Sequence, residues 1–224
     1  MPKLVFDIET VGVDFDSLDD KSKEYLLNFA ETPEEIDAVK NGLGFSPLTG
    51  EIVAIGIYNP DTDKGAVYFV TDSDEERDNS GDIQYVSCKD EKAVLKEFWE
   101  TANHYDQFIT FCGHTFDCPY LMIRSAINKI KPSKNLMHNR YGYGPHIDIL
   151  DRLTNFGAVR GKKNLHMWCR AFDIESPKAK GTTGDDVARL FKEKKYLEIA
   201  TYCGDDLKAT AELFRYWDKY INIK

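Results

Sequence analysis

The order of its apolar segments constrains what this 224-residue chain can fold into more than any other feature of the sequence. Strand-like runs at residues 51–58 and 66–70 are joined by turn formers and predict an antiparallel hairpin. A helical pattern at residues 90–102 and an apolar run at 107–112 then begin a β-α-β alternation. Together with a first strand at residues 3–9, this order predicts an α/β fold whose mixed sheet carries helices on its faces.

The length of the chain suits one compact domain, because a single core of this size can bury most of its apolar surface. Charged stretches with helical patterning at residues 21–29 and 33–39 predict a helical insertion at about residues 14–45. Two closing helices are predicted at about residues 185–194 and 196–220. We therefore expect residues 1–224 to form one domain that carries an exposed helical insertion.

The net charge of −9 argues against a protein that coats duplex nucleic acid, because such binding depends on many lysine and arginine contacts to phosphate. An acidic chain can still bind a nucleic-acid substrate if its carboxylates hold divalent cations. The bound metals, rather than side chains, then supply the charge that meets phosphate.

The chain lacks the features of a membrane or secreted protein. No apolar run approaches the roughly 20 residues that cross a bilayer, and the first residues lack a basic region followed by an apolar stretch. The five cysteines are scattered and form no Cys-x-x-Cys pair, which favours free thiols in a reducing compartment. We therefore expect a cytoplasmic protein without a membrane partner.

The first strand ends in two carboxylates, Asp7 and Glu9. Residues two apart in a strand point to the same side, so these carboxylates project together from Cβ atoms roughly 6.6 Å apart. A divalent cation would compensate the repulsion between them. The alternative is a half-exposed edge strand with acidic tips.

Asp117 follows an apolar strand and precedes a helix that has Pro119 in its first turn. Loops at strand ends are where α/β proteins place their sites, which favours a functional role. Its alternative role is to cap the amino terminus of that helix.

Tyr202 and Asp206 lie four residues apart on the last predicted helix. This spacing places them on one face, separated by roughly 6 Å along the helix axis. Asp206 can complete a metal site, while the phenol of Tyr202 can hold a water or a phosphate oxygen.

Four carboxylates from three distant segments suit hard cations such as Mg²⁺ or Mn²⁺, because such ions prefer oxygen ligands. Two such ions would activate a water and neutralise the leaving 3' oxygen during displacement at phosphorus. The predicted chemistry is phosphodiester hydrolysis.

Three short segments of the chain closely resemble the motifs of the DEDD exonuclease superfamily. They are FDIET at residues 6–10, GHTFDCPYL at 113–121 and YCGDD at 202–206. The tyrosine four residues before the last aspartate is typical of the DEDDy branch. Further similarity in SPLTGEIVAIG (46–56) and GDDV (184–187) resembles the stand-alone group related to the exonuclease domain of family-B DNA polymerases.

The resemblance implies a ribonuclease H-like fold and a 3'-5' exonuclease that uses two divalent cations, Mg²⁺ or Mn²⁺. Asp7, Glu9, Asp117 and Asp206 would be the metal ligands, and Tyr202 would orient the attacking water. The expected reaction releases nucleoside monophosphates from the 3' end of single-stranded DNA. The expected context is DNA repair, with a polymerase or repair partner that the sequence does not identify.

Contacts to the substrate are less well defined. Thr10 is expected to meet the terminal nucleotide, Phe116 to stack on a base, and Lys180 to steer the phosphate backbone. Core packing is the alternative for Phe116, and a solvated loop is the alternative for Lys180. Relatives often carry an asparagine where this chain has Cys112 or His114, and we take His114 as the candidate substrate-binding residue there.

Three other functions compete with a DNA exonuclease. An RNA 3'-5' exonuclease would use the same metals, and only contacts to the 2'-hydroxyl would distinguish it. A catalytically silent nucleic-acid-binding module would tolerate lost ligands, whereas all four carboxylates and the tyrosine are present here. A metal-dependent phosphatase would give Tyr202 no particular reason to occupy its position.

Overall fold

The computed structural model describes residues 1–72, 81–142, 144–160, 164–177 and 183–223. The strands found in these residues are β1 (Lys3–Gly12), β2 (Gly50–Asn59), β3 (Lys64–Val70), β4 (Ile83–Cys88), β5 (Gln107–Thr110) and β6 (His146–Asp148). They form one mixed sheet with the order β4-β3-β2-β1-β5-β6. Strands β1, β2 and β3 pair antiparallel, while β4, β5 and β6 each join a parallel neighbour.

The helices of the described residues are α1 (Asp20–Leu27), α2 (Pro33–Asn41), α3 (Glu91–Ala102), α4 (Asp117–Ile127), α5 (Ile149–Leu153), α6 (Leu165–Ala171), α7 (Val187–Lys192) and α8 (Tyr196–Tyr220). Short 3-10 turns occur at Phe15–Ser17, Leu43–Phe45 and Gly184–Asp186. None of the described helices is both long and apolar enough to cross a lipid bilayer. The fold class is therefore the expected one, a ribonuclease H-like mixed sheet flanked by helices.

The central strand β1 separates two apolar clusters. Its residues Phe6 and Ile8 pack with α3 and α4 on one face of the sheet, whereas Val5 and Val11 pack with α8 on the other. Because side chains alternate along a strand, Asp7 and Glu9 point toward the α8 face. The alternation that buries the core therefore also presents two carboxylates to the last helix.

Helix α8 approaches the sheet closely at Gly56 of β2. A Cβ atom at this position would lie 2.6 Å from Cδ1 of Leu207 and 2.8 Å from Sγ of Cys203. Gly56 is also the cross-strand partner of Asp7. The absence of a side chain at Gly56 therefore lets α8 lie against the part of β1 that carries the acidic pair.

A buried ion pair joins α3 and α4 on the opposite face. Arg124 donates from Nε and Nη2 to the two carboxylate oxygens of Glu91, at 2.8 and 2.6 Å, and both side chains are about 9% exposed. Glu91 also accepts the backbone N–H of Ile52 at 2.8 Å and the amide of Asn128 at 2.7 Å. This network connects α3, α4 and the start of β2 through one carboxylate.

Candidate active site

The first two carboxylates leave the sheet side by side. Asp7 and Glu9 face Gly56 and Ala54 of β2, and the β1–β2 register shifts between Glu9 and Thr10. Glu9 is only 6% exposed, although no hydrogen bond from a described residue reaches its carboxylate. The structure therefore places the two carboxylates on one side of β1, as the sequence predicts.

The third carboxylate, Asp117, follows the neighbouring parallel strand β5. Strand β5 ends at Thr110, and the chain turns through residues 111–116 before α4 begins at Asp117. The backbone N–H of Ile8 donates to Oδ1 of Asp117 at 3.2 Å. Parallel strands end at the same edge of a sheet, so this turn brings Asp117 to β1 between the residues of the acidic pair.

The turn before Asp117 is held by a buried aspartate, Asp148. Its carboxylate accepts the backbone N–H groups of Cys112 and His114, each at 3.0 Å, and it also caps α5 by accepting the N–H of Asp151. Cys112 has a φ of 68°, in the left-handed region that side chains other than glycine, asparagine and aspartate rarely adopt. Asp148 therefore stabilises a strained turn that positions Asp117.

The fourth carboxylate and the tyrosine come from α8. Tyr202 is buried, and its hydroxyl interacts with the carboxylate of Asp206 one helical turn later. Cys203 lies between them, and its Sγ is within 4.8 Å of carboxylate oxygens of both Asp7 and Glu9. The packing of α8 against Gly56 therefore places Asp206 and Tyr202 beside the acidic pair.

The four carboxylates lie close enough to repel one another. Burial, followed by the charges of Asp117 and Asp206, raises the pKa of Asp7 well above its usual value. Burial and then the charges of Asp206 and Asp117 do the same for the pKa of Glu9. Burial also raises the pKa of Asp117 to about 7. The fold therefore concentrates negative charge at a cost to its own stability.

This arrangement fits bound divalent cations. In the described part of the chain, no lysine or arginine forms an ion pair with Asp7, Glu9 or Asp117. Burial raises the pKa of the Cys203 thiol well above its usual value, so the thiol stays protonated and the charged donors are all oxygens. Oxygen donors with an uncompensated negative charge suit Mg²⁺ or Mn²⁺.

The raised pKa of Asp117 predicts how the stability of the metal-free protein depends on pH. The pKa is about 7 in the folded protein and roughly 3.9 in the unfolded chain, so the folded state binds more protons between these values. The contribution of Asp117 is therefore favourable at pH 4 and is lost as the pH rises through 7. Relative to Asp117→Asn, wild type should lose about 2–4 kcal/mol of unfolding free energy between pH 4 and 8.

Urea denaturation in EDTA at several pH values measures this difference. Asp37→Asn is the matched control, because Asp37 is exposed on α2. A difference between wild type and Asp117→Asn that stays constant with pH would contradict the assignment of this shift to Asp117.

A cleft of about 830 Å³ opens beside Glu9. Glu9, Thr10 and Phe116 line it together with Phe45 and residues of α2 and α7. The hydroxyl of Thr10 donates to the carbonyl of Gly44 at 2.8 Å, so its proton is already engaged. Phe116 packs against the core, and its ring centre lies 5.4 Å from that of Tyr120. The same residue also lines the cleft.

Of the other two predicted substrate residues, only His114 lies within the described part of the chain. The ring of His114 packs against His146, with centres 4.6 Å apart, and the structure places it beside Asp148 and Asp151 rather than in the described lining of the cleft. Lys180 lies outside the described residues. Substrate binding by these two residues stays a prediction.

Sequence reasoning missed two features of the site. Cys203 directly follows Tyr202 and is three residues from Asp206, so helical spacing alone could have placed it on the face that meets the carboxylates. Phe45 carries no such signal, because its position in the cleft depends on how the segment between β1 and β2 folds back.

Comparison with known proteins relates this chain to a family of predicted exonucleases. Residues 51–218 match a family described as a predicted 3'-5' exonuclease related to the exonuclease domain of PolB. The matched range includes Asp117, Tyr202 and Asp206, while Asp7 and Glu9 precede it. No curated protein matched the chain.

The fold is also that of a solved polymerase structure. The family B DNA polymerase from the hyperthermophilic archaeon Pyrobaculum calidifontis aligns with 97% of this chain at 15% identity and a TM-score of 0.61. The alignment spans 24% of the polymerase, and it extends the likeness to nearly the whole chain. Because the family match covers most of its length, this chain belongs to the family of predicted 3'-5' exonucleases related to the exonuclease domain of PolB.

Proposed function

We propose that this chain is a metal-dependent 3'-5' exonuclease that releases nucleoside monophosphates from the 3' end of single-stranded DNA. The observation that carries the proposal is the convergence of Asp7, Glu9, Asp117 and Asp206, with Tyr202 next to Asp206. Glu9 also lines the cleft. Family membership supports the direction of cleavage. The acidic net charge of −9 supports a strand end rather than a continuous duplex as substrate.

In this proposal the four carboxylates hold two divalent cations, Mg²⁺ or Mn²⁺. The bound cations supply the positive charge that hydrolysis of a phosphodiester requires. Asp7 and Glu9 are fixed by β1, Asp117 by its bond to the N–H of Ile8, and Asp206 by α8. Because the four carboxylates stand on three packed segments, β1, the start of α4 and α8, little rearrangement is needed when the substrate binds.

Tyr202 is proposed to orient the attacking water. Burial, followed by the charges of Asp206, Glu9 and Asp7, raises the pKa of its phenol above the usual value, so the hydroxyl keeps its proton at neutral pH. A protonated phenol can donate one hydrogen bond and accept another. It can therefore hold a water molecule in a fixed orientation next to the carboxylates.

The direct test uses 5'-labelled oligonucleotides with Mg²⁺ or Mn²⁺. Wild-type protein should shorten single-stranded DNA to a ladder and release nucleoside monophosphates, and EDTA should stop the reaction. DNA and RNA strands, and duplexes with a paired or a mismatched 3' end, are compared side by side. Faster shortening of RNA would assign the enzyme to RNA instead, and binding without any shortening would indicate a silent binding module.

Tyr202→Phe should lower kcat about 100-fold, because the ring stays while the hydroxyl that positions the water is lost. The melting temperature and the affinity for Mn²⁺, measured by calorimetry, should change little. Tyr216→Phe on the same helix is the matched control and should retain full activity, because Tyr216 packs against Phe172 and Tyr220 instead. Equal activity of the two variants would remove Tyr202 from the mechanism.

A further inference from the structure

A cysteine thiol lies beside the first two carboxylates of the site. Sγ of Cys203 is 3.9 Å from Oδ2 of Asp7 and 3.9 Å from the carbonyl oxygen of the same residue. One ligand atom from each of Asp7, Glu9 and Cys203 falls within 4.8 Å of the other two. Among the groups of potential metal ligands in the described residues, this group is the one that includes sulfur. The proposed mechanism makes no use of that sulfur, because Mg²⁺ and Mn²⁺ prefer oxygen donors.

The packing of α8 fixes the position of this sulfur. Cys203 is fully buried, and a Cβ atom at Gly56 would lie 2.8 Å from its Sγ. Gly56 is the cross-strand partner of Asp7, so the contact that brings α8 to the sheet also places the thiol against the strand that carries the acidic pair. One sulfur and two carboxylates are therefore held together by two packed elements, β1 and α8.

The distance between the donors matches the coordination of a sulfur-binding cation. Zn²⁺ binds sulfur at about 2.3 Å and carboxylate oxygen at about 2.1 Å, which in a tetrahedral site separates the two donors by roughly 3.6 Å. The separation between Sγ of Cys203 and Oδ2 of Asp7 is 3.9 Å. Only a small movement is therefore needed to bring both atoms into one coordination shell.

A second buried cysteine shows what distinguishes this group. Sγ of Cys118 lies 3.7 Å from Nε2 of His146, but no third ligand among the described residues joins that pair. Cys118 and His146 are also almost completely buried. In contrast, Glu9 lines the cleft and Asp7 is partly exposed, so a cation from solvent can reach the group that contains Cys203.

We propose that Asp7, Glu9 and Cys203 form an inhibitory site for Zn²⁺, in which the sulfur favours Zn²⁺ over Mg²⁺ at the same carboxylates. This inference rests on the proposed function, because inhibition requires an active exonuclease. Binding breaks the S–H bond of Cys203, an S–Zn bond forms, and the proton leaves to solvent. Zn²⁺ then occupies carboxylate oxygens that the two catalytic cations require. A hard cation at the same carboxylates leaves the thiol intact.

Co²⁺ serves as the spectroscopic probe, because a bond between Co²⁺ and a thiolate gives a charge-transfer band in the near ultraviolet. Wild-type protein titrated with Co²⁺ should show this band, and added Zn²⁺ should remove it. Cys203→Ser and Cys203→Ala should lack the band. Cys88→Ser is the matched control and should keep it, because Cys88 is buried in the cluster on the opposite face of the sheet. Absence of the band in wild type, or its persistence in both Cys203 variants, would overturn the proposal.

Calorimetry separates binding by the sulfur from a purely structural role of Cys203. Cys203→Ser should raise the Kd for Zn²⁺ about 100-fold, since the loss of even an indirect partner of a metal ligand costs roughly 10–100-fold. The Kd for Mn²⁺ should change less than about 3-fold, because Mn²⁺ uses the carboxylates alone. An equal loss of affinity for both cations would overturn the proposal, because the thiol would then act only by positioning the carboxylates.

Activity measurements separate this inference from the proposed function. Zn²⁺ is added during shortening of labelled DNA in Mg²⁺, and each protein is compared with its own activity without Zn²⁺. The Zn²⁺ concentration that halves activity should be about 100-fold higher for Cys203→Ser than for wild type. Equal concentrations would overturn the inhibitory site while the exonuclease assignment stands. If wild type binds Co²⁺ through sulfur but shortens neither DNA nor RNA with Mg²⁺ or Mn²⁺, the proposed function fails and the cation site stands.

Discussion

Replacement of Asp7 by asparagine should lower exonuclease activity by at least about 1,000-fold and should also make the metal-free protein more stable. The loss of activity follows from the loss of a charged oxygen at the proposed metal site, where several kcal/mol of transition-state stabilisation depend on bound cations. The gain in stability follows from burial and from the charges of Asp117, Asp206 and Glu9, which raise the pKa of Asp7. Neutralising one carboxylate relieves this repulsion.

Single-turnover cleavage and thermal melting in EDTA measure the two effects. Added Mn²⁺ should raise the melting temperature of wild type, because an ion that binds only the folded state stabilises it, and should raise that of Asp7→Asn much less. Asp205→Asn is the matched control, since Asp205 is next to Asp206 on α8 but lines a different depression with Glu212 and Lys208. An active Asp7→Asn variant, or one that melts lower than wild type without metal, would contradict the proposed site.

Arg124→Ala should destabilise the protein by about 3–5 kcal/mol, the largest effect on stability that we expect outside the site. The substitution leaves the carboxylate of Glu91 buried without its charged partner, at a side-chain exposure of 9%. The carbonyl of Pro47 also loses its hydrogen bond from Nη1 of Arg124, at 3.1 Å. Breaking a buried ion pair by removing one partner costs more than the pair contributes, because the remaining charge cannot be hydrated.

Urea denaturation of Arg124→Ala measures this loss as a shift of the midpoint at an unchanged slope. Arg189→Ala is the control, because Arg189 pairs with Asp186 and Glu193 on the surface, where its side chain is 53% exposed. Surface pairs of this kind contribute little to stability, because both charges remain hydrated. A loss below about 1 kcal/mol in Arg124→Ala would show that the buried network does not stabilise the fold.

Elements with strong local patterns could be predicted from the sequence. The last helix runs over Tyr196–Tyr220, as its apolar spacing predicts, and α3 and α4 begin within two residues of their predicted starts. Strand β4 (Ile83–Cys88) was not predicted, because only Ile83 and Cys88 in it are buried and its polar residues face outward. It becomes a strand through its parallel pairing with β3, a long-range contact that leaves no periodic signal in six residues.

Predicted boundaries differ from the structure where pairing partners set them. Strand β1 continues three residues beyond Glu9, to Gly12, because β2 pairs with it as far as Gly50. The sequence of residues 146–153 favours neither a strand nor a helix, and these residues form β6 followed at once by α5. Three residues are too few for a strand pattern, and their parallel pairing with β5 decides their conformation.

The sequence by itself determined the chemistry of the candidate site. Backbone geometry places Asp7 and Glu9 on one side of a strand and Tyr202 and Asp206 on one face of a helix, whatever the rest of the chain does. The tertiary structure alone decided how these pairs meet. Gly56 lets α8 reach the acidic strand, and the bond from Ile8 to Asp117 joins the third segment to it. The tertiary structure also decided that Phe45 lines the cleft. Contacts between residues distant in sequence depend on packing, which local spacing does not encode.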